Sequence, residues 1–345
     1  MRSGETPPGL TYRGAGVDVG AKARLLEAIA PAIASTYTDA VGAGLGAFAG
    51  AVRLAPPGAG FLLATVDGVG TKTLIARQMG RDDVIGWDIV AHCANDLVSC
   101  GARPIAFLDY VAMGRLDPPL IRVLVEAMAR ACALLGVPLI GGETAEMPDV
   151  YTCDAYEVVG TMIGRAPPDG LLTGAGTIPG DRLVGLGSSG LHTNGYTLAR
   201  RVVEAAGASL HEHLEDLGTS LGEALLAPHL CYAEGLLSLL GSVQIRAAAH
   251  ITGGGLVDNL VRVLPDGCRA RVLRDWPEPP IFRWLQQAGR ISEEEMVRAF
   301  NLGIGMVVVT AAQDAARTVR HFEAAGIPAL QIGEIIEGPR GVDPA

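Results

Sequence analysis

Residues 61–113 read FLLATVDGVGTKTLIARQMGRDDVIGWDIVAHCANDLVSCGARPIAFLDYVAM. The apolar run 61–66 predicts a strand that ends in a glycine-rich turn. Residues 83–100 carry apolar side chains at helical spacing, and Gly101 follows them as a typical helix terminator. The apolar run 105–113 predicts a second strand. A strand, a helix and a strand in this order predict a fold of mixed α and β structure.

The same alternation continues along the rest of the chain. Helices are predicted at 21–34, 118–135, 193–206, 256–264, 280–300 and 312–325, and strands at 137–140, 156–164, 183–187, 246–251, 305–309 and 330–337. Residues 41–50, VGAGLGAFAG, predict a flexible loop in an N-terminal arm. Residues 165–181 are rich in Pro and Gly and lack apolar periodicity, which places a boundary near residue 170 between domains 1–170 and 171–345.

Composition excludes several classes of protein. With 345 residues, 49% of them hydrophobic, the chain can bury substantial cores and is not disordered. No apolar run is long enough to span a bilayer and no signal peptide is recognisable, which predicts a soluble cytoplasmic protein. A net charge of −10 argues against general nucleic-acid binding. Six cysteines without a CxxC pair indicate neither a zinc site nor a disulfide framework, and favour reduced thiols.

The motif DGVGTK, Asp67 to Lys72, follows the first of these strands. Its glycines let backbone N–H groups approach an anion, the Asp67 carboxylate can hold Mg²⁺, and the Lys72 ammonium can contact phosphate. Lys72 and Lys22 are the only lysines in a chain whose other basic residues are arginines. The motif is not a P-loop, because Thr71 precedes the lysine. A tight turn with solvated charges is the plain structural alternative.

A polar stripe runs along the helix predicted at 83–100. Its members fall on one helical face: Asp88, His92, Asn95, Asp96 and Ser99. Such a stripe commonly meets water. Because the rest of this helix is largely apolar, the stripe could instead face a cleft within a buried element, and Asp96 is then a candidate metal carboxylate.

GGETAEMP, 141–148, follows a predicted strand and offers two carboxylates, Glu143 and Glu146. We interpret it as a strand-end loop, the place where ligands bind in α/β folds, with an ordinary turn as the alternative. GLGAFA at 44–49 fits the dinucleotide-binding pattern only weakly, since no apolar strand precedes it.

GSSGLHTNGY, 187–196, predicts an anion site at a helix N-terminus, with His192 able to pair with phosphate or move a proton. A simple N-cap explains Thr193 or Asn194 but not the whole cluster. HITGGGL, 250–256, places three glycines before another helix. The histidines outside polar or glycine-rich clusters are predicted to be surface or packing residues: His211, His213, His229 and His321.

Together these stretches resemble the aminoimidazole ribonucleotide synthetase family, also called the phosphoribosylformylglycinamidine cyclo-ligases. The resemblance rests on motifs in the family's order and spacing: TYRGAGVD at 11–18, DGVGTK at 67–72, GWDIVAHCANDLVSCGARPIAFLDYVAMG at 86–114, GGETAEMP at 141–148, GLGSSGLHTNGYTL at 185–198, HITGGGLVDNLVRVLP at 250–265 and FNLGIGM at 300–306. It covers nearly the whole chain. It implies an N-terminal α/β domain that contributes strands to a barrel shared across a homodimer, a C-terminal α/β domain, and a nucleotide in the cleft.

The resemblance implies closure of formylglycinamidine ribonucleotide to aminoimidazole ribonucleotide with ATP and Mg²⁺, releasing ADP and phosphate. It implies catalytic roles for Lys72, Asp96 and His192, and Mg²⁺ ligation by Asp67, Asp96 and Glu143. The residues that it implies for nucleotide or substrate binding are Asp67, Gly68, Gly70, Thr71, Lys72, Asn95, Gly141, Gly142, Glu143, Asn194, Gly253 and Gly254. It leaves open a requirement for K⁺ and transient contact with neighbouring purine-pathway enzymes.

Four positions depart from the family's pattern. Arg13 and Gly14 stand where Lys and Asp are frequent, Thr193 where Ser is common, and Asp149 where Gly is common. Arg13 keeps the charge and Thr193 keeps a hydroxyl. Gly14 lacks a carboxylate, which puts in doubt any catalytic or metal role for that part of the N-terminal arm.

Two other functions stay open at this level. The first is a sister enzyme that activates an oxygen with ATP, such as selenophosphate synthetase, thiamine-phosphate kinase, a hydrogenase maturation factor or formylglycinamidine ribonucleotide synthetase. Selenophosphate synthetases usually carry a reactive cysteine in the N-terminal arm, which here has none before Cys93. The second is a noncatalytic nucleotide-binding scaffold, against which the retained Asp67, Lys72, Asp96 and Glu143 argue.

Overall fold

The computed structural model describes residues 9–343 and contains two six-stranded sheets with helices packed against them. The outer ends of the two predicted domains, 1–8 and 344–345, lie outside the described residues. The helices are α1 (Val19–Ala34), α2 (Lys72–Met79), α3 (Asp83–Ser99), α4 (Pro118–Leu135), α5 (Tyr196–Ala206), α6 (Leu221–Leu225), α7 (Ala233–Leu239), α8 (Gly255–Leu260), α9 (Pro280–Gly289), α10 (Glu293–Ala299) and α11 (Ala315–Ala324). The strands are β1 (Val41–Ala43), β2 (Gly50–Arg53), β3 (Phe61–Gly68), β4 (Arg103–Met113), β5 (Leu139–Glu146), β6 (Tyr156–Ala166), β7 (Arg182–Gly187), β8 (His213–Leu214), β9 (Thr219–Ser220), β10 (Ile245–His250), β11 (Cys268–Val272), β12 (Ile304–Thr310), β13 (Ala329–Glu337) and β14 (Gly341–Asp343).

The first sheet has the strand order β1-β2-β3-β6-β4-β5. Neighbouring strands are antiparallel except β4 and β5, which run parallel at one edge. Side chains alternate between the two faces: Phe61, Leu63 and Thr65 of β3 are buried, whereas Leu62 and Val66 are exposed. The buried face packs on α3, and the other face keeps apolar side chains in contact with solvent.

The second sheet has the order β10-β12-β7-β13-β11-β14, with β11 and β14 parallel and the other pairs antiparallel. Every residue of β12 is buried, as expected for a strand that carries a continuous apolar run and is covered on both faces. Helix α11 packs on β7 and β13.

Helix α3 lies between the two sheets. Every residue from Val84 to Ser99 except Trp87 is buried, and the helix packs on β3 and β6 of the first sheet and on β10 of the second. The polar stripe of this helix therefore faces the protein interior, and the alternative in which it meets water is wrong. Because α3 packs against both sheets, the two halves of the chain share an interior. The division into domains near residue 170 therefore stays a prediction.

The predicted mixed fold is confirmed, and most predicted helices and strands lie within a few residues of the observed ones. Three predictions are wrong. Residues 41–50 contain β1 and the start of β2 instead of a flexible loop, and residues 141–146 belong to β5 instead of a strand-end loop. The helix predicted at 280–300 is two helices, because Arg290 adopts a left-handed φ of 49° and Ser292 caps α10. Among the described helices, none is long and apolar enough to cross a membrane.

Candidate functional site

The predicted glycine-rich motifs meet at the polar stripe of α3. Asp67 is the second-to-last residue of β3, Thr193 lies in the loop before α5, and His250 ends β10. Each of them contacts a stripe residue: Asp67 and Thr193 contact His92, and His250 contacts Asp96. The motifs at 67–72, 187–196 and 250–256 thus converge on one helix.

Asp67, which is partly exposed, forms an ion pair with the buried His92. His92 Nε2 lies 2.8 Å from Asp67 Oδ2, and His92 Nδ1 lies 2.7 Å from Thr193 Oγ1. Burial opposes the charge on both groups, but their mutual attraction lowers the pKa of Asp67 to about 2 and raises the pKa of His92 to about 9. At neutral pH the pair is an imidazolium and a carboxylate, so both ring nitrogens of His92 donate hydrogen bonds.

A second chain of hydrogen bonds starts at Asp96. Its Oδ1 lies 2.8 Å from His250 Nδ1, and its Oδ2 accepts from Thr65 Oγ1 at 3.2 Å. His250 Nε2 lies 3.1 Å from His229 Nε2. Burial lowers the pKa of both histidines, so both rings are neutral. Since the carboxylate accepts the Nδ1 proton of His250, His250 Nε2 accepts a hydrogen bond from His229 Nε2.

His192 lies against this chain with its ring stacked on that of His229, at a centroid separation of 4.0 Å. It adopts a φ of 60°, which is rare for a residue other than glycine. Its Nε2 accepts a long hydrogen bond of 3.4 Å from the Ser189 N–H, and its buried Nδ1 has no partner among the described residues. Burial lowers the pKa of His192 well below its ordinary value. The neutral ring therefore carries its proton on Nδ1.

Lys72 forms a buried ion pair with Asp88 of α3. Both side chains are fully buried, with the Nζ atom 2.5 Å from Asp88 Oδ2. The ammonium also donates to the carbonyl oxygens of His192 and Ala227, at 2.9 and 3.1 Å. Burial lowers the pKa of Lys72 and raises that of Asp88, and each charge opposes the shift of the other. These three interactions occupy all the donors of the ammonium.

Two carboxylates of the cluster are close enough to share one cation. Ligand atoms of Asp67, His92 and Asp96 all lie within 4.8 Å of one another. Carboxylate oxygens are the ligands that Mg²⁺ prefers, and Asp67 keeps 43% of its side chain exposed. The donor set at Asp67 and Asp96 therefore fits Mg²⁺.

Two protein-family models match this chain, one over most of the first sheet and the other over the second sheet. The N-terminal domain model of AIR synthase related proteins matches residues 46–166, and the C-terminal domain model matches residues 179–343. A phosphoribosylformylglycinamidine cyclo-ligase from Cupriavidus pinatubonensis is 43% identical over 335 residues, which cover 96% of this chain and 95% of the relative. Another from Xanthomonas oryzae pv. oryzae is 44% identical over 95% of this chain and 97% of the relative.

This chain belongs to the phosphoribosylformylglycinamidine cyclo-ligase family. The resemblance seen in the sequence motifs is thereby confirmed. The solved structure of thiamine-monophosphate kinase from Stenotrophomonas maltophilia has the same fold, with a TM-score of 0.64 at 21% identity over 91% of this chain and 95% of the kinase. That likeness concerns the fold alone.

Three residues implied by the cyclo-ligase resemblance are buried away from solvent in this conformation, and one of them is His192, which is 1% exposed. Lys72 is enclosed by its three partners and has no free donor for a phosphate. Asn95 is also fully buried, and its amide donates to the carbonyl of Leu230 and accepts from the N–H of Tyr232, each at 2.8 Å. Lys72 and Asn95 hold loops of the C-terminal half against α2 and α3.

The predicted third Mg²⁺ ligand, Glu143, lies away from Asp67 and Asp96. It is exposed on the edge strand β5, separated from β3 by β6 and β4, which amounts to about 14 Å across the sheet. Gly141 and Gly142 lie on the same strand, outside the cluster. A Cβ at Gly142 would lie 2.1 Å from Asp109 Oδ1, so this glycine accommodates a neighbouring carboxylate. Within one chain Asp67 and Asp96 therefore lie together without Glu143, and Mg²⁺ ligation by all three carboxylates stays a prediction.

The remaining predicted residues lie at the rim of the cluster. Gly68 follows Asp67 and donates its N–H to the carboxylate at 2.7 Å, Gly70 has a φ of 62°, and Thr71 Oγ1 lies 3.2 Å from Thr197 Oγ1. Gly253 approaches Asn194, since a Cβ there would lie 3.3 Å from the Asn194 side chain. Gly254, with a φ of 96°, is the N-cap of α8.

The prediction that His229 is a surface or packing residue is wrong, because His229 belongs to the polar cluster. A signal was present in the sequence: it is a polar residue inside the apolar run ALLAPHLCYA, 224–233, where a lone histidine needs a polar partner. Asp88 was noted only as part of the stripe, and its partnership with Lys72 joins residues 16 positions apart on different helices. Sequence spacing does not indicate such a pair.

The departures from the family pattern have structural counterparts. Asp149 adopts a φ of 67°, in the left-handed region that favours glycine, which explains why glycine is common there. Thr193 keeps the hydroxyl that contacts His92. Arg13 lies 3.3 Å from Asp18, and Gly14 donates its N–H to Thr11 Oγ1. The structure gives no metal-binding role to this part of the arm.

Proposed function

We propose that this chain closes formylglycinamidine ribonucleotide to aminoimidazole ribonucleotide at the expense of ATP, in purine biosynthesis. The observation that carries the proposal is the 43% identity over nearly the full length to a cyclo-ligase. The convergence of three side chains near α3 supports it. Asp67 and Asp96 supply negative charge for a metal ion, and His192 supplies a group that can transfer a proton.

The reaction needs a good leaving group on the formyl carbon. Transfer of the γ-phosphoryl group of ATP to the formyl oxygen gives an iminophosphate and ADP. The amidine nitrogen then attacks the formyl carbon, the five-membered ring closes, and the carbon–oxygen bond to phosphate breaks. The attacking nitrogen loses a proton as the ring becomes aromatic. The balance is one ATP consumed, with aminoimidazole ribonucleotide, ADP and phosphate formed.

The first step concentrates negative charge on the phosphoryl group. Mg²⁺ neutralises such charge when it is bound. Asp67 and Asp96 would hold the ion, with Glu143 outside the set in a single chain. His92 keeps Asp67 ionised through their hydrogen bond, and His250 orients Asp96 in the same way.

Ring closure requires a group that exchanges protons with the substrate, and His192 is our candidate. Its ring is neutral, and its Nδ1 has no partner among the described residues; because the ring is buried, this role requires the loop 188–195 to move when the substrate binds. The loop 188–195 holds it in a strained backbone conformation, as is common at functional positions. Lys72 acts as a positioning residue by binding the carbonyl oxygen of His192.

We propose that the enzyme works as a homodimer in the cytoplasm. The outer face of the first sheet leaves Val52, Leu62 and Val66 between 39% and 64% exposed, and a second copy would cover them. All six cysteines are free, which suits a reducing compartment.

The deciding experiment incubates the purified chain with formylglycinamidine ribonucleotide, ATP and Mg²⁺ and measures aminoimidazole ribonucleotide and ADP in parallel. Equal formation of both products is expected. ADP without aminoimidazole ribonucleotide would indicate a sister phosphotransferase, and a folded, ATP-binding chain that forms neither would indicate a scaffold. Repeating the assay with K⁺ replaced by Na⁺ shows whether a monovalent ion is required.

The role of His192 is tested in the same assay. His192→Gln removes the exchangeable proton and should lower kcat by about 10²- to 10⁴-fold, the usual contribution of a general acid or base. His213→Gln, at an exposed histidine, is the matched control and should leave kcat unchanged. Equal kcat values for the two variants would remove His192 from proton transfer.

A further inference from the structure

Three histidines from separate segments converge inside the protein. His92 lies on α3, His229 lies in the loop between α6 and α7, and His250 ends β10. One ring nitrogen from each lies within 4.8 Å of the other two. All three side chains are at most 2% exposed. Neither the proposed ring closure nor its Mg²⁺ requires three imidazoles at one point.

Two of these rings already have the arrangement of metal ligands. The Nε2 atoms of His229 and His250 face each other at 3.1 Å. In a tetrahedral zinc site, with zinc–nitrogen bonds of about 2.1 Å, two ligating nitrogens lie about 3.4 Å apart. A metal ion between the two rings therefore needs only a small outward movement of each nitrogen.

Asp96 and Asp67 orient the rings of His250 and His92 by hydrogen bonds to their nitrogens. Asp96 accepts the Nδ1 proton of His250, so the lone pair of His250 Nε2 points toward His229, whose Nε2 proton a metal ion would replace. Asp67 and Thr193 accept hydrogen bonds from the two nitrogens of His92, so coordination by His92 releases one ring proton to solvent and replaces one of these hydrogen bonds. Carboxylate–histidine pairs of this kind fix ring orientation and raise ligand basicity in metal sites.

His229 is the residue that most needs a ligand. Its Nδ1 is buried without a hydrogen-bond partner among the described residues, and its Nε2 meets only another imidazole. A buried polar ring that is satisfied on one side only is unfavourable. A metal ion at Nε2 would replace the shared proton of this imidazole pair, with the ring proton of His229 on Nδ1, and would bind a ring that packing already holds between His192 and His250.

We propose that His92, His229 and His250 form a binding site for a divalent transition-metal ion of the zinc class. Imidazole nitrogens favour Zn²⁺, Co²⁺, Ni²⁺ and Cu²⁺, whereas Mg²⁺ favours the oxygens of Asp67 and Asp96. The ion ties α3 to the loop and strand of the C-terminal half. Because His92 also contacts Asp67, this site and the carboxylate pair share one residue, and occupation of one changes the other.

The test uses the untagged full chain, freed of metal by a chelator and titrated with Co²⁺, whose visible absorption distinguishes tetrahedral nitrogen ligation from octahedral oxygen ligation. One equivalent of Co²⁺ in a tetrahedral spectrum is expected, unaffected in shape by excess Mg²⁺. Zn²⁺ should displace it and raise Tm. A wild-type chain that gives only an octahedral spectrum overturns the proposal.

His229→Gln should weaken Co²⁺ and Zn²⁺ binding by at least about 100-fold, because it removes a direct ligand. His213→Gln, at an exposed histidine, is the control and should bind both ions as the wild type does. Undiminished binding by His229→Gln would place the ion at Asp67, His92 and Asp96 instead and contradict the proposal.

A second measurement does not depend on the folding of a variant. Zinc X-ray absorption of the wild-type chain should show a nitrogen first shell with outer scattering from three imidazoles. A first coordination shell of mostly oxygen atoms with a single imidazole would contradict the three-histidine site, even if His229→Gln failed to fold.

Discussion

Lys72 belongs to a glycine-rich motif but is buried, because it forms an ion pair with Asp88 of α3. The ammonium meets one carboxylate and two backbone carbonyl oxygens from two loops of the C-terminal half. A buried ion pair is a weak source of net stability, but removing one partner leaves an uncompensated charge. The pair therefore fixes where the loops 188–195 and 227–232 lie relative to α2 and α3.

Lys72→Ala should lower the free energy of unfolding by about 3–5 kcal/mol, because Asp88 then remains buried without a counter-charge. It should also lower kcat, since the loop that carries His192 loses its anchor. Urea denaturation followed by circular dichroism measures the first effect. The double variant Lys72→Met with Asp88→Asn should recover part of the stability. A single variant as stable as the wild type would show that the pair is not formed.

The pair of Asp67 and His92 makes stability depend on pH. The raised pKa of His92, about 9 against an ordinary 6.5, contributes stability that is complete below pH 6.5 and is lost as pH rises through 9. The lowered pKa of Asp67, about 2 against 3.8, contributes stability above pH 3.8 that is lost as pH falls through 2. The free energy of unfolding should therefore decline between pH 6.5 and 9, and His92→Gln should flatten that decline. The same slope in both proteins would contradict the assignment.

At the level of elements, α3 depends on one close helix contact. A Cβ at Gly86 would lie 2.5 Å from the carbonyl oxygen of Leu124 and 2.7 Å from the Cβ of Ala127, both on α4. The glycine thus lets α4 approach α3, which places the polar stripe at a fixed depth under the first sheet.

Gly86→Ala should therefore destabilise the protein by about 1–3 kcal/mol, although alanine normally favours a helix by about 1 kcal/mol over glycine. Urea unfolding checks this value. Arg130→Ala, on the exposed side of α4, is the control and should change stability by less than about 0.5 kcal/mol. A stabilised Gly86→Ala variant would mean that the two helices are farther apart.

At the level of elements, the sequence predicts a loop at residues 141–146, but these residues belong to strand β5. Its sequence LIGGETAE contains two glycines and two glutamates, which are uncommon in strands. The strand forms because β4 offers it a parallel edge from Phe107 to Met113. Pairing with a distant segment outweighs local preference there. The residues of β5 themselves carry no pattern that indicates pairing with β4.

At the scale of the whole molecule, the described residues leave one face of the first sheet uncovered, with Leu62 and Val66 exposed. Val66→Lys places a charge at a position 64% exposed on that face and should convert the proposed homodimer to a monomer. Analytical ultracentrifugation at micromolar concentration measures the change. Leu134→Lys, at a position 73% exposed on α4, is the control and should stay dimeric. A wild-type chain that is monomeric would contradict the dimer.

The sequence by itself determined the order of helices and strands, the family and the motifs that meet at the site. Alternating apolar patterns determine element type over short stretches, and glycine-rich motifs mark places where the backbone turns sharply. The sequence therefore supplies Asp67, Asp96 and His192 as candidate site residues, because each stands in a motif of recognisable local chemistry.

Only the tertiary structure decided which of these residues touch. It buried Lys72 against Asp88, brought His229 to His250, and put Glu143 on a separate strand. These relations join residues far apart in the chain, and they depend on how the two sheets pack around α3. Pair distances of this kind are set by the packing of the whole molecule, so the local pattern of side chains does not contain them.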